Sequence, residues 1–148
     1  MNRLLVAFLL LSSLSGCATL RNEHFSTPLS VELGNSLAAD AIKHLQILYP
    51  PAHTTFNLAQ AVPKTDNFGT SLVLKMREKG YGVQTSNLTP SRQAAEGLST
   101  LYTVDKPTSR VFAGLYRVQL KIGKTILTRA YTAANNTAIP AGAWAKME

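Results

Sequence analysis

The chain contains one cysteine, and it closes the run Leu14-Ser15-Gly16-Cys17. That placement constrains the fold from both sides. Before it stand Arg3, the unbroken apolar stretch Leu4 to Leu11 and the small residues Ser12, Ser13, Ser15 and Gly16, which is the order of parts in a secretory leader. The apolar run breaks into serine and glycine well short of the roughly 17 to 25 residues that a spanning helix needs. Residues 1–16 therefore read as a signal peptide. After it, residues 17–148 hold no second thiol, so an exported chain can form no internal disulfide and must be stabilised by its core.

The spacing around the thiol carries chemistry of its own. Leu14 stands three positions ahead of Cys17, with the small Ser15 and Gly16 between, and the quartet resembles the bacterial lipobox. The resemblance implies a thioether-linked diacylglycerol on Cys17, cleavage before it and an acyl group on the new amine. At ~0.8 kcal/mol for each buried CH2, several chains on one residue hold a protein to a bilayer essentially permanently. Ala18 follows, not aspartate, which in Gram-negative systems implies export to the outer membrane with the domain facing the periplasm.

Removal of the leader takes only Arg3 from a formal net charge of +7, so the remainder is moderately basic and of a length for one domain. Residues 18–29 lack a hydrophobic period, include Pro28 and read as a linker. From Ser30, a capping residue, Leu33, Leu37, Ala41, Ile42, Leu45 and Leu48 recur at helical spacing until Pro50-Pro51. Residues 53–58 alternate as a strand. Asp66 or Asn67 caps a second helix bearing Phe68, Leu72 and Met76, with Val73 and Leu74 widening its apolar face; Lys75, Arg77 and Lys79 lie in its last turns and Gly80 stops it. Residues 81–85 form a strand with Tyr81 and Val83 inward, 86–99 a long connection, and 100–104 a further strand. The longest alternation runs from Phe112 through Tyr116, Val118, Leu120 and Ile122 to a Gly123-Lys124 hairpin turn. That hairpin sets Leu120 opposite Leu127, Tyr116 opposite Tyr131, and Arg129 opposite Val118 and diagonal to Tyr116, with its guanidinium within reach of that tyrosine's face. The small and polar residues 134–148 read as a poorly ordered tail. The resulting fold class is α+β, two amphipathic helices on one face of a small, mostly antiparallel sheet of about five strands, with residues 30–133 as the domain.

No catalytic, cofactor or metal site assembles from this chain. Cys17, if acylated as the lipobox resemblance implies, is no nucleophile, and His24, His44 and His53 show no metal-ligand spacing. Asp40 and His44 share a helix face at i, i+4, the pattern of a solvated pair. Gly123-Lys124-Thr125 ends like a phosphate-binding loop, but Val118 occupies the place of its first glycine. Arg110, Arg117, Lys121, Lys124 and Arg129 crowd the hairpin, so Arg117 and Lys121 are candidate partner contacts. Trp144, the sole tryptophan, either enters a partner's groove or folds back on the sheet.

Taken together, the lipobox, residues 37–48 running into Pro50-Pro51-Ala52-His53-Thr54-Thr55-Phe56, Asp66-Asn67-Phe68-Gly69 through Lys79-Gly80-Tyr81-Gly82-Val83, and Leu127-Thr128-Arg129-Ala130-Tyr131-Thr132 resemble the TrbH lipoproteins of conjugative plasmids. The resemblance implies an outer-membrane lipoprotein of a type IV secretion apparatus, acting in mating-pair formation beside other envelope subunits. It transfers no catalytic residue, and only Cys17 maps to a defined role. Small lipoproteins of related machines, of the DotD type, use a domain similar to the N-terminal domain of secretins, which extends to this chain by analogy. The rival expectation is an envelope lipoprotein engaged in cell-wall chemistry or its regulation. Direct nucleic-acid binding through the hairpin cations is the weakest of the readings, since no run of like charges supports it.

Overall fold

The computed structural model describes residues 27–85, 96–108, 111 and 114–148. Helix α1 spans Val31–Leu48, and the Ser30 hydroxyl accepts from the Leu33 amide at 3.2 Å, satisfying one of the first-turn donors. Leu33, Leu37, Ala38, Ala41, Ile42 and Leu45 are its buried face. Tyr49 is extended ahead of the two prolines, and Pro51–His53 form a 3-10 turn. The strand expected from His53 therefore begins at Thr55: β1 is Thr55–Leu58, with Phe56 and Leu58 buried. Pro51, whose fixed φ suits a helical first position, draws His53 and Thr54 into the turn.

Helix α2 is Asn67–Glu78, capped by Asp66, whose Oδ1 accepts from the Gly69 amide at 2.9 Å. Phe68, Leu72, Val73 and Met76 are buried as expected, but Leu74 is 55% exposed and does not widen the inner face. Gly69 and Ser71 are buried beside them. Gly80, at φ 87°, ends the helix in the left-handed region that a side chain disfavours. The two helices run side by side in the same direction. Asn67 Nδ2 donates to the Leu29 carbonyl at 2.7 Å at one end, and the Tyr81 hydroxyl to the Tyr49 carbonyl at 2.7 Å at the other.

The remaining strands are β2 (Gly82–Thr85), β3 (Leu98–Asp105), β4 (Tyr116–Ile122), β5 (Thr125–Ala134), β6 (Thr137–Pro140) and β7 (Ala145–Met147). The sheet order is β2-β1-β3-β4-β5-β6, with β7 also on β5. β1 is parallel to both its neighbours and every other pairing is antiparallel. The β4–β5 register places Leu120 against Leu127 and Tyr116 against Tyr131, as the alternation requires, around Gly123 at φ 58°. Residues 86–95, within the long connection, and Arg110 and Phe112 lie outside the described residues.

Two features depart from the sequence reading. First, among the described residues the sheet has seven strands, because residues 134–148 are not a loose tail. Asn135 and Asn136, at φ 50° and 58°, make a tight turn of the kind that matches strand twist, and β6 and β7 return along β5. Second, β1 covers the edge of β3 only from Leu98 to Thr100. Beyond it the side-chain amide of Gln60 takes the place of a strand: Oε1 accepts from the Tyr102 amide at 2.9 Å and Nε2 donates to the Tyr102 carbonyl at 3.4 Å. The Thr27 amide then donates to the Val104 carbonyl at 2.9 Å. This patch keeps the backbone of a central strand satisfied where its neighbour has ended.

Inward residues of the sheet, among them Phe56, Tyr102, Val104, Val118, Leu120, Leu127 and Tyr131, form one core with the two helices. On the other face, register aligns Leu101, Lys121, Ile126 and Met147 in a single row.

Candidate functional site

The densest arrangement of polar side chains gathers on Asp40, in the middle of α1. Its Oδ2 accepts from Arg129 Nη1 at 2.8 Å, from the Tyr131 hydroxyl at 2.8 Å and from Trp144 Nε1 at 3.3 Å. Arg129 and Tyr131 are alternate residues of β5 and so reach the helix from one face of the sheet. Trp144 comes from a four-residue interruption between β6 and β7, where Arg129 Nε also donates to the Gly142 carbonyl at 2.7 Å. His44, one helical turn after Asp40, stacks on Trp144 with ring centroids 5.0 Å apart and planes 5° from parallel. Four residues the other way, the Ser36 hydroxyl accepts from the Ala138 amide of β6 at 3.0 Å. Ser36, Asp40 and His44 are thus one stripe of α1, and the returning strand lies along it.

The electrostatics hold this cluster as a tie between helix and sheet. Burial, then the hydrogen bond to Asp40, pushes the Tyr131 hydroxyl far above the ordinary phenol range, so it stays a donor. Partial burial, then the Arg129 charge, lowers His44 below its usual value and favours the neutral ring, while Asp40 opposes the shift. A second carboxylate is held in the same manner. Asp66 Oδ2 accepts from the Tyr102 hydroxyl at 2.6 Å, and burial, then that bond, raises the Tyr102 phenol. Gly69 makes this contact possible, because a Cβ there would stand 1.8 Å from the Tyr102 oxygen. Both carboxylates are committed to tyrosines and to backbone or cationic donors.

The sequence candidates are placed as follows. Trp144 folds back onto its own domain, half-buried between His44 and Tyr131. Arg117 makes a two-pronged ion pair with Asp105, its cross-strand neighbour, Nε donating to Oδ1 at 3.0 Å. Lys121 is exposed in the row with Leu101 and Ile126, and Lys124 is exposed in the hairpin turn. Arg129 faces the helix and not the solvent, over the ring of Tyr131 at 5.7 Å; Tyr116 is covered by Lys106 instead. The hairpin cations are therefore divided between two faces and two ion pairs. Cys17 and the Leu14, Ser15 and Gly16 that precede it lie outside the described residues. Among the described residues no three His, Cys, Asp or Glu side chains group as metal ligands, and no helix is long and apolar enough to cross a membrane.

Sequence reasoning found the Asp40–His44 spacing but not its partners, which arrive from the far end of the chain. The one local hint was Arg129 and Tyr131 on the same face of an alternating strand. No curated protein and no solved structure matches the chain. A family model does, over residues 18–148, under the description Conjugal transfer protein TrbH. With the whole sequence after Cys17 inside that match, the chain belongs to the TrbH family of conjugal transfer proteins.

Proposed function

We propose that the protein is a lipid-anchored, non-catalytic assembly subunit of a conjugative type IV secretion apparatus, held at the outer membrane with its domain in the periplasm. The observation that carries this reading is the junction at Cys17. The lipobox-like Leu14-Ser15-Gly16-Cys17 ends where the family match begins, at residue 18, so an anchoring element and the conjugal domain directly adjoin. Ala18, in place of aspartate, favours the outer membrane. The interior supports a structural role, since Asp40 and Asp66 each accept from a tyrosine hydroxyl that holds its proton.

The test is Cys17→Ser in donor cells. The expected result is an unacylated protein by mass, absent from the outer-membrane fraction, with a folded domain and a loss of plasmid transfer. Wild-type protein recovered with an uncut leader and a free thiol would overturn the anchor. Transfer at the normal frequency from the Cys17→Ser strain would overturn the role of the lipid in assembly.

A further inference from the structure

The two ends of the sheet differ in charge. The Thr27 amide bonds to the Val104 carbonyl, so the chain coming from Cys17 joins the domain where β3 finishes. The opposite end holds the β4–β5 turn, whose Gly123 amide donates to the Ser99 carbonyl at 2.8 Å, and the C-termini of both helices, which lead into the starts of β1 and β2. Among the described residues, Lys64, Lys106 and Arg117 share the first end with Glu32, Asp66 and Asp105, and its charges balance. The opposite end carries Lys75, Arg77, Lys79, Lys121, Lys124 and Lys146 against only Glu78, Glu96 and Glu148. Its field is therefore positive. Apolar surface is exposed there too. The row of Leu101, Lys121, Ile126 and Met147 lies on the sheet face that the helices leave open, with Lys121 two residues before Gly123. Leu101 is 36% exposed and Met147 54%, Lys121 is exposed between them, and Lys124 is exposed in the turn. Among the described residues neither lysine has a carboxylate partner, whereas Arg117, farther along the same face, is paired with Asp105.

We propose that this end of the open sheet face, centred on Lys121 and Lys124, docks onto an acidic surface of another envelope protein. The inference rests on the assembly role proposed above and names the surface that serves it. An apolar stripe interrupted and edged by cations matches a partner that sets apolar side chains between aspartates or glutamates. The apolar contact supplies affinity, and the charges supply register and speed of encounter. A second copy of this chain does not fit, because the face set against itself brings two groups of lysines together with no acid to relieve them. A phosphate backbone fits no better, since it is followed by several aligned cations and here two stand among apolar residues. The anchoring bilayer is tied to the other end of β3, which leaves this end turned toward neighbouring subunits.

A benzophenone amino acid in place of Met147, which leaves both lysines intact, tests the occupant in donor cells. The expected product is a link to a different envelope protein, mapped by mass to within a few residues of an aspartate or glutamate. A link to phospholipid, to nucleic acid, to a second copy or to a segment without acidic residues, or no link at all, would overturn the proposal. Lys121→Glu with Lys124→Glu should keep the thermal midpoint, since both side chains are exposed, and should cut transfer at least about tenfold by setting like charges in one contact. Lys43→Glu with Lys64→Glu makes the same change in net charge at exposed sites elsewhere and should leave transfer unchanged. Equal transfer from the two double variants would overturn the face. Replacing the linked acid of the partner by lysine should restore transfer to the Lys121→Glu, Lys124→Glu strain, which a misfolded protein would not allow. If deleting the whole protein leaves transfer intact, the assembly role itself falls; if deletion stops transfer and the Lys121→Glu, Lys124→Glu protein restores it in full, only the docking face falls.

Discussion

Gln60 offers the sharpest test of how this fold is closed. Its amide stands in for a missing length of β1, bonding both the N–H and the C=O of Tyr102, and it is only 6% exposed in doing so. Gln60→Ala removes one acceptor and one donor at once from a strand in the middle of the sheet. A buried backbone group deprived of its partner costs ~1–3 kcal/mol, but the longer of the two bonds, at 3.4 Å, contributes less than the 2.9 Å one. The expected loss is therefore about 2–3 kcal/mol, a large part of the 5–15 kcal/mol that roughly bounds a domain of this kind. Gln60→Glu separates the two bonds. Its carboxylate can still accept from the Tyr102 amide but faces the Tyr102 carbonyl with no proton to give, and burial raises its pKa above the ordinary value of about 4.3. The folded pKa being raised, the favourable protonated form is fully present below the unfolded value and is lost as pH rises through the folded one. Gln60→Glu should thus approach wild type near pH 4 to 5 and fall behind Gln60→Ala near pH 8. Urea melts read by the fluorescence of Trp144, the sole tryptophan, give both comparisons. A Gln60→Ala protein within about 0.5 kcal/mol of wild type, or a Gln60→Glu deficit that does not change with pH, would refute the account.

The other ties give tests of the same kind. Asp40→Ala takes away a carboxylate that serves Arg129, Tyr131 and Trp144 together, and should cost about 2–3 kcal/mol in the same melt, with a shift in tryptophan emission as the indole loses its partner. Asp40→Asn keeps an acceptor without the charge and should cost about half as much; equal losses would mean that packing, not the hydrogen bonds, decides. His44 is held below its usual pKa, so its contribution is present above pH ~6.5 and is lost as pH falls through the lower folded value. Its half-exposed ring keeps that effect small, and the emission of Trp144 should follow the titration while a His44→Phe protein shows none. Gly69→Ala would ordinarily strengthen a helix, but here the new methyl must displace the hydroxyl of a tyrosine that is 1% exposed. A net loss of about 2 kcal/mol is expected, and any gain in thermal midpoint would argue against the Tyr102–Asp66 contact.

What could be read in advance was whatever depends on neighbours in the chain. Ser30 and Asp66 cap their helices, Gly80 and Gly123 adopt the conformations that only glycine takes cheaply, and the β4–β5 register follows from one turn and one alternation. Leu74 misled because helical spacing shows that a residue lies beside an apolar stripe without showing how wide the neighbouring layer is. The C-terminal strands were missed for a related reason. Residues 134–148 are small and polar because β6 and β7 lie at an edge and bury almost nothing, so no apolar alternation marks them. The usable signal was Asn135-Asn136, two residues that both tolerate positive φ, standing after a strongly patterned strand.

The candidate site was hidden by distance in the chain, and that distance explains why it exists. With one thiol in the whole sequence, nothing covalent can tie the ends of this domain to its middle. Apolar packing alone tolerates alternative arrangements of two similar helices on a sheet, since it is largely indifferent to which contact is made. Hydrogen bonds are not indifferent. Asp40 reaches 89 and 91 positions ahead to Arg129 and Tyr131, Ser36 reaches 102 to Ala138, and Gln60 and Asp66 reach 42 and 36 to Tyr102. Each bond forms only in one topology, so the set selects the native register from compact competitors that bury as much apolar surface. The longest of the three bonds to Asp40, from Trp144 at 3.3 Å, comes just before the last strand. It fixes the C-terminal segment to the same carboxylate that Arg129 and Tyr131 already hold to the sheet.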